Sequence, residues 1–309
     1  MDDRAKAALE KLGSLPGMFV VKEQVEQMIQ FAKISKLRTS QGLKALPQSN
    51  HMIFTGNPGT GKTTAARLIG EAFTALGMLK SDQEEPPFVE VHHADVTHPH
   101  VGQAERTIKA KFKEARGGVL FIDEAYAFVA GETSHMTGDK VIAAIVQLME
   151  DMRDEIVVIA AGYPQNMEEF LNENPGLRSR FPTTINFPDY EVSDLVQIAA
   201  YLCVEREYTM SKPYVDMLAA RLLEEKQKPG FGNARTVRNI IEQSIRRQAA
   251  RVAQMAAPSR AELVLLTEFD MPPSENRVTE KEMLLRSLGS LQERLREIER
   301  REILFGPMN

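Results

Sequence analysis

The sequence has almost no cysteine, no strong excess of either charge and no long apolar run. With Cys203 as its only cysteine, the chain of 309 residues cannot form an internal disulfide, and we expect a reducing, cytoplasmic setting. It has 38 lysines and arginines against 43 aspartates and glutamates, and this net charge of −5 argues against nucleic acid as a partner. No apolar run approaches the roughly 20 residues of a membrane span, so no membrane association is expected.

What the chain does contain is the composition of an ordinary globular protein. Hydrophobic residues make up 43% of it and charged residues 26%, close to the averages of folded domains. At roughly 150 residues per domain, the length predicts about two domains. Either of them is large enough to bury a core of its own.

Short apolar runs alternate with helical patterns from residue 51 to residue 161. This alternation predicts a parallel β-sheet with helices on both faces, which is an α/β fold. The runs that begin at Val119 and Ile156 are apolar throughout, as is typical of interior strands. Amphipathic spacing predicts a further helix within residues 18–46, ahead of the first strand.

The strand signals stop after Asp189, and three helical patterns follow it. We therefore expect an α/β domain over residues 1–190, a helical domain over residues 191–271, and a linker with an amphipathic helical tail over residues 272–309. The tail carries apolar residues at heptad spacing: Leu284, Leu288, Leu291, Leu295 and Ile298. This seam would either pair with a partner's helix or fold back onto the chain, and both interpretations stay open.

One segment between a predicted strand and a predicted helix matches a phosphate-binding loop. Residues 56–63 read GNPGTGKT, which is the pattern of Gly, four residues and Gly-Lys-Thr. The glycines let backbone amides approach phosphate oxygens, and the N-terminus of the following helix adds partial positive charge. Lys62 is expected to reach the β- and γ-phosphates and the Thr63 hydroxyl to ligate Mg²⁺. The predicted ATP-binding residues of this segment are Asn57, Pro58, Gly59, Thr60, Gly61, Lys62, Thr63 and Thr64.

Two acids end the apolar strand that begins at Val119. The carboxyl ends of strands in a doubly wound sheet face the ligand crevice, which would place Asp123 beside Mg²⁺ and Glu124 beside the γ-phosphate. An acid one residue past a metal ligand can orient and polarise a water for in-line attack. Glu124 is therefore the candidate base for hydrolysis.

Four segments together resemble the AAA+ ATPases: GNPGTGKT, GGVLFIDEAY, AGYPQNM and NPGLRSRFPTTINFPDY. They are most similar to a subgroup that includes red-type Rubisco activase, stage V sporulation protein K and the type VII secretion ATPase. The resemblance implies a phosphate-loop αβα domain with a five-stranded parallel sheet, followed by a small helical lid. It also implies ATP and Mg²⁺ as cofactors and a homo-oligomeric ring, usually a hexamer, with ATP at the subunit interfaces.

The resemblance also implies roles for arginines. In NPGLRSRF, Arg180, with Arg178 as the alternative, would insert into the ATP site of the neighbouring subunit. A planar cation there would stabilise the charge that spreads over the phosphoryl oxygens in the transition state. Arg235 matches the sensor-2 arginine of the lid, which reports the γ-phosphate. For all three arginines, an ordinary surface or ion-pair role stays open.

Two positions depart from the broad AAA+ pattern. The family usually has an asparagine after a central strand, whereas this chain has Gly162-Tyr163, as the subgroup does. Tyr163 would either hydrogen-bond near the attacking water or cap the strand. The pore loop of the subgroup carries an aromatic, a hydrophobic residue and glycine, and the matching residues are His100, Val101 and Gly102. Because imidazole is smaller and more polar than the usual aromatic ring, we expect a weaker or pH-sensitive grip on the client.

These features predict a Mg²⁺-dependent ATPase that assembles into a ring and remodels or activates a protein partner of unknown identity. Two alternatives belong to other classes, namely a small-molecule P-loop kinase and a scaffold whose assembly is gated by nucleotide. Phosphate release without a second substrate, together with the mass in solution with and without ATP, distinguishes the three.

Overall fold

The computed structural model describes residues 3–44, 49–79, 85–96, 102–129 and 135–274. His100 and Val101 of the predicted pore loop, and the tail from residue 275, lie outside these ranges, so what we expect of them stays a prediction. Gly102 directly precedes a helix and has a φ of +88°. Within the described ranges, no helix combines the length and the apolar character needed to cross a membrane.

Five parallel strands form the centre of the α/β part of the chain, in the order β2-β3-β4-β1-β5. They are β1 (Met52–Gly56), β2 (Phe88–Val91), β3 (Val119–Ile122), β4 (Val157–Gly162) and β5 (Thr183–Phe187). The expectation of a five-stranded parallel sheet is confirmed. Strands β1, β3 and β4 lie inside the sheet and all of their residues are buried. For β3 and β4, their uninterrupted apolar runs predicted this interior position.

Helices cover both faces of this sheet. They are α3 (Lys62–Ala75), α4 (His93–Val96), α5 (Gln103–Glu114), α6 (His135–Asp151), α7 (Pro164–Glu173) and α8 (Pro175–Arg180). Successive strand side chains point to opposite faces, so Phe54 and Ile53 belong to two separate apolar cores. Burying strand residues on both sides fixes the sheet, and with it the positions of the loops at the strand ends.

Two helices precede the sheet, of which the sequence predicted one. α2 (Phe19–Ser40) ends before the expected residue 46. Its end is set by Gly42, whose φ of +72° is the left-handed conformation that terminates helices. The unpredicted α1 (Asp3–Ser14) packs on α3 and buries Ala5, Ala8 and Leu12.

The second part of the chain is helical, as expected. It contains α9 (Val192–Glu205), α10 (Lys212–Lys226), α11 (Ala234–Val252) and α12 (Arg260–Val264). A pair of two-residue parallel strands, β6 (Thr209–Met210) and β7 (Leu265–Leu266), adds to the helices. The buried Asp270 carboxylate pairs with Arg251 at 2.9 Å and thereby holds the segment after β7 against α11.

His51 links three elements at the amino end of β1. Its side chain is 1% exposed, its Nδ1 accepts the backbone N–H of Val158 at 3.0 Å, and its Nε2 lies 3.2 Å from the carbonyl oxygen of Met149. Because Nδ1 is an acceptor, the single proton of a neutral ring is on Nε2, which donates to Met149. Burial lowers the pKa of His51 to about 4, so the imidazole is uncharged near neutral pH.

We expect the free energy of unfolding to fall as the pH drops from about 6.5 to about 4. The unfolded chain protonates His51 near its ordinary pKa of 6.5, whereas the folded chain does so only near 4, so added protons favour the unfolded state in this window. The full effect is roughly 3 kcal/mol. Denaturant unfolding at a series of pH values measures it.

His51→Gln keeps a donor and an acceptor but cannot titrate, so this variant should lose that part of the pH dependence whatever its stability at neutral pH. His92→Gln, at an exposed histidine, should retain it. If the free energy of unfolding of His51→Gln fell with pH as steeply as that of the parent, His51 would not be the group responsible.

Candidate nucleotide site

A cavity of about 360 Å³ lies at the carboxyl ends of β1, β3 and β4. The loop after β1 and the start of α3 form one side of it, and the start of α11 forms another. Because parallel strands all end at one edge of the sheet, segments far apart in sequence meet there. Of the predicted ATP-binding residues, those that line the cavity are Pro58, Gly59, Gly61, Lys62, Thr63, Thr64 and Arg235.

Glycines shape the loop between β1 and α3 for two reasons. Gly59 and Gly61 have φ values of +71° and +91°, a region that glycine enters without steric cost. Neighbouring groups also approach closely, since a side chain at Gly59 would collide with the carbonyl of Gly232 and one at Gly61 with the side chain of Met18. The loop is therefore shaped by the helical domain as well as by its own conformation.

Lys62 is held over this loop by two backbone carbonyls. Its Nζ donates to the oxygen of Gly56 at 2.8 Å and to that of Asn57 at 2.9 Å. An ammonium group has three donors, so one remains for a phosphate oxygen. Burial lowers the pKa of Lys62, and the negative charge of Asp123 offsets only part of this effect. A poorly hydrated cation facing a cavity is suited to binding an anion.

The two acids after β3 also line the cavity. The backbone N–H of Asp123 donates to the Val91 carbonyl at 3.1 Å, and Oδ1 of Asp123 accepts the N–H of Glu124 at 3.0 Å. Glu124 has a φ of +50°, an uncommon conformation for a residue with a side chain and one that clusters at functional sites.

The chemistry of the donor set fits Mg²⁺. The Thr63 hydroxyl and the Asp123 carboxylate both line the cavity and offer the hard oxygen ligands that this ion prefers. Mg²⁺ in nucleotide sites keeps water and takes phosphate oxygens besides one or two protein ligands. These two side chains are therefore a sufficient protein contribution.

Two tyrosines lie beside Glu124. Tyr163 lines the cavity, and its ring centre is 6.1 Å from that of Tyr126. The backbone of Tyr163 precedes α7, but its side chain makes no capping hydrogen bond there. Sequence reasoning missed Tyr126, whose hydroxyl hydrogen-bonds Glu124, and burial, followed by the charge of Glu124, raises the pKa of this tyrosine. Its only signal was its place in DEAY, two residues after the acid.

Asp189 and Asn233 join the loop to the helical domain, and neither was predicted as a site residue. The Asp189 carboxylate accepts Nδ2 of Asn57 at 3.0 Å and Nδ2 of Asn233 at 2.7 Å. Asn233 is fully buried with a φ of +49°, and the next N–H, that of Ala234, donates to the Gly59 carbonyl at 3.1 Å. Asn57, a predicted ATP-binding residue, thus engages the lid junction through its side chain.

Two arginines of α11 face the cavity. Arg235 was predicted, whereas Arg238 was not. Residues three apart on a helix share a face, so the position of Arg238 follows from that of Arg235. The sequence alone contained this spacing but did not show that α11 points along the cavity.

Arg178 and Arg180 do not line the cavity of their own chain. Nη2 of Arg178 is 2.7 Å from Oε2 of Glu168 and donates to Oδ1 of Asn172 at 2.8 Å. Nη2 of Arg180 is 3.1 Å from Oε2 of Glu150. Within the part of the chain that the structure describes, the buried Nε of Arg180 has no hydrogen-bond partner.

Arg180 directly precedes the segment that enters β5, at the amino end of a parallel strand, whereas the cavity lies at the carboxyl ends. A strand of this length, five residues, spans roughly 17 Å. Arg180 and the cavity of its own chain therefore lie on opposite edges of the sheet, at the amino and the carboxyl ends of the strands.

Comparison with known proteins gives a consistent result. The chain matches "ATPase family associated with various cellular activities (AAA)" over residues 52–189 and the AAA lid domain over residues 191–281. It is 37% identical over 269 residues to stage V sporulation protein K of Bacillus subtilis, covering 86% of this chain and 82% of that protein. It is 36% identical over 272 residues to a chloroplastic ribulose bisphosphate carboxylase/oxygenase activase of Cyanidioschyzon merolae, covering 85% and 87%. Protein CfxQ of Xanthobacter flavus is 35% identical over 84% of this chain and 81% of its own length.

Among solved structures, the AAA domain of FIGL-1 in complex with ADP has the same fold. The TM-score is 0.57 at 17% sequence identity, covering 96% of this chain and 90% of that one. With this fold, the phosphate-binding loop and the sequence relationships over most of its length, the chain belongs to the AAA ATPases and carries an α/β ATPase domain followed by a helical AAA lid.

Proposed function

We propose that the chain binds ATP and Mg²⁺ in the cavity at the carboxyl ends of β1, β3 and β4, and hydrolyses the nucleotide within a ring that remodels a protein partner. The observation that carries this proposal is the meeting of three separate segments at one cavity, through Lys62, the adjacent acids Asp123 and Glu124, and Arg235. A small-molecule kinase would need an acceptor pocket beside the phosphates.

Each side chain has a task that its position supports. The loop amides and Lys62 bind the phosphates, while Thr63 and Asp123 hold Mg²⁺, which when bound neutralises charge on the β- and γ-phosphates. Glu124 orients the attacking water and accepts its proton. Tyr163 flanks that water, and Arg235 contacts the γ-phosphate from the lid.

Arg180 completes the site of a neighbouring subunit. Its place at the opposite edge of the sheet from its own cavity supports a role in trans. Arg178 is the weaker candidate, because Glu168 and Asn172 already occupy its guanidinium.

The functional unit is therefore a homo-oligomer, which we propose to be a hexamer. The partner is a protein, in keeping with the activase and sporulation proteins among the relatives, and the pore-loop residues His100, Val101 and Gly102 would contact it. We place the protein in the cytoplasm, since a chain with one cysteine forms no internal disulfide and suits a reducing compartment. That cysteine, Cys203, is buried, and burial raises the pKa of its thiol to about 11, which keeps it unreactive.

Glu124→Gln should lower phosphate release, measured with ATP and Mg²⁺ and without a second substrate, by roughly a hundredfold. The amide keeps the shape of the side chain but cannot accept the proton. ATP binding, followed with a fluorescent nucleotide, should persist. Glu169→Gln, at an exposed carboxylate on α7, should hydrolyse ATP like the parent.

If Glu124→Gln released phosphate as fast as the parent, Glu124 would not be the base for hydrolysis. If the parent chain formed ADP only when a small-molecule acceptor was added, with the phosphoryl group on the acceptor and no free phosphate released, the kinase alternative would replace hydrolysis.

Arg180→Ala should reduce the rate roughly a thousandfold, and so should Lys62→Ala, but a mixture of the two should recover activity. In mixed rings, a Lys62→Ala subunit still supplies Arg180 to the intact loop of an Arg180→Ala neighbour. Phosphate release at constant total protein measures the recovery. A mixture no faster than the sum of its components would contradict action in trans, and recovery with Arg178→Ala in place of Arg180→Ala would transfer the role to Arg178.

A further inference from the structure

The end of α8 is fixed beside the end of α6. Ser49 Oγ donates to the carbonyl of Arg180 at 2.8 Å, and the ring of Phe181 lies edge-on to that of His51 with 6.3 Å between centres. His51 in turn bonds the carbonyl of Met149. The buried imidazole thus contacts the ring of Phe181 next to Arg180 and the backbone carbonyl of Met149 at the end of α6.

That acid is Glu150, which follows Met149 at the end of α6. One oxygen of its carboxylate, Oε2, is 3.1 Å from Nη2 of Arg180, and the other, Oε1, is 3.5 Å from Nη1 of Arg153. With one arginine at each oxygen, the carboxylate is held in orientation. It therefore presents a defined acceptor to Arg180.

The contact engages only part of the Arg180 guanidinium. Of its five N–H donors, the structure shows only Nη2 facing a carboxylate, and Nε has no hydrogen-bond partner among the described residues. The side chains of Arg180 and Glu150 are 34% and 46% exposed. A pair this exposed is weak and breaks readily, so it can orient an arginine without competing strongly with a phosphate.

We propose that Glu150 is the positioning residue of Arg180, holding the guanidinium by Nη2 at the subunit surface so that its remaining Nη donors face the neighbouring subunit's ATP. The inference rests on the proposed role of Arg180 in trans. Glu150 itself touches no nucleotide. It acts by limiting the rotamers of a long side chain, so that less freedom is lost when the arginine meets the transition state.

Mixed rings of Lys62→Ala and Arg180→Ala subunits test this directly, because only Lys62→Ala subunits donate an arginine and only Arg180→Ala subunits hydrolyse ATP. We would add Glu150→Gln to either subunit in turn and measure kcat and KM for ATP. Placed in the donor, it should lower kcat roughly fivefold and leave KM unchanged. Placed in the hydrolysing subunit, it should change neither.

Two further variants sharpen the result. Glu150→Lys in the donor repels Arg180 and should lower kcat more than Glu150→Gln does. Arg153→Gln removes the other arginine from the same carboxylate but leaves the contact with Arg180, so in the donor it should lower kcat less than Glu150→Gln does, and in the hydrolysing subunit it should leave kcat unchanged.

A loss confined to the donor would support the proposal. An equal loss from Glu150→Gln in both subunits would show a general structural role and overturn it, as would no loss or a gain in the donor. The mixture of Lys62→Ala and Arg180→Ala subunits without a Glu150 change is measured first. If this mixture regains no activity, the role of Arg180 in trans is refuted. That outcome is separate from a failure of the Glu150 proposal, because it is observed before Glu150 is changed.

Discussion

The carboxylate of Asp189 connects the phosphate-binding loop to the lid, and the geometry of the nucleotide cavity depends on that connection. It binds the side-chain amides of Asn57 from the loop and of Asn233 from the start of the lid helix. The hydroxyl of Tyr190 adds a bond to the carbonyl of Thr60 at 3.1 Å, and burial raises the pKa of Tyr190, which keeps this donor protonated. The loop and the lid are therefore bonded to each other through these side chains.

This junction explains why the loop is so constrained. The lid approaches Gly59 so closely that a side chain there would collide with the Gly232 carbonyl. The backbone N–H of Ala234 donates to the Gly59 carbonyl, so the helix that carries Arg235 begins in direct contact with the loop. The loop and the lid are thus joined by short backbone contacts as well as by the side chains of Asp189, Asn57 and Asn233.

The parallel sheet separates two kinds of chemistry. Its carboxyl edge holds the cavity with Lys62, Asp123 and Glu124, and its amino edge holds Arg180 beside the buried His51. Because the strands are parallel, a single chain cannot bring these edges together. A second subunit can do so, and this is the physical argument for regarding the assembly as the catalytic unit.

Much of the fold followed from pattern. Strands β3 and β4 were predictable because interior strands are apolar throughout, and the loop at GNPGTGKT because its glycines and lysine follow a fixed spacing. By contrast, α1 was missed, since its buried face consists of small side chains and one leucine, and the end of α2 was misplaced because a single glycine sets it.

The site divides in the same way. Lys62, Asp123 and Glu124 were identifiable because their roles require particular residue types next to a strand end, and the sequence displays both. Asp189, Asn233 and Glu150 were not, since the residues that they contact lie far away in the sequence. Tyr126 and Arg238 were missed because the sequence does not show which way their segments face. The sequence by itself determined the family, the α/β fold and the phosphate-binding chemistry. Only the tertiary structure decided how the lid is bonded to the loop and which edge of the sheet carries Arg180, because contacts between residues far apart in the chain leave no periodic trace in it.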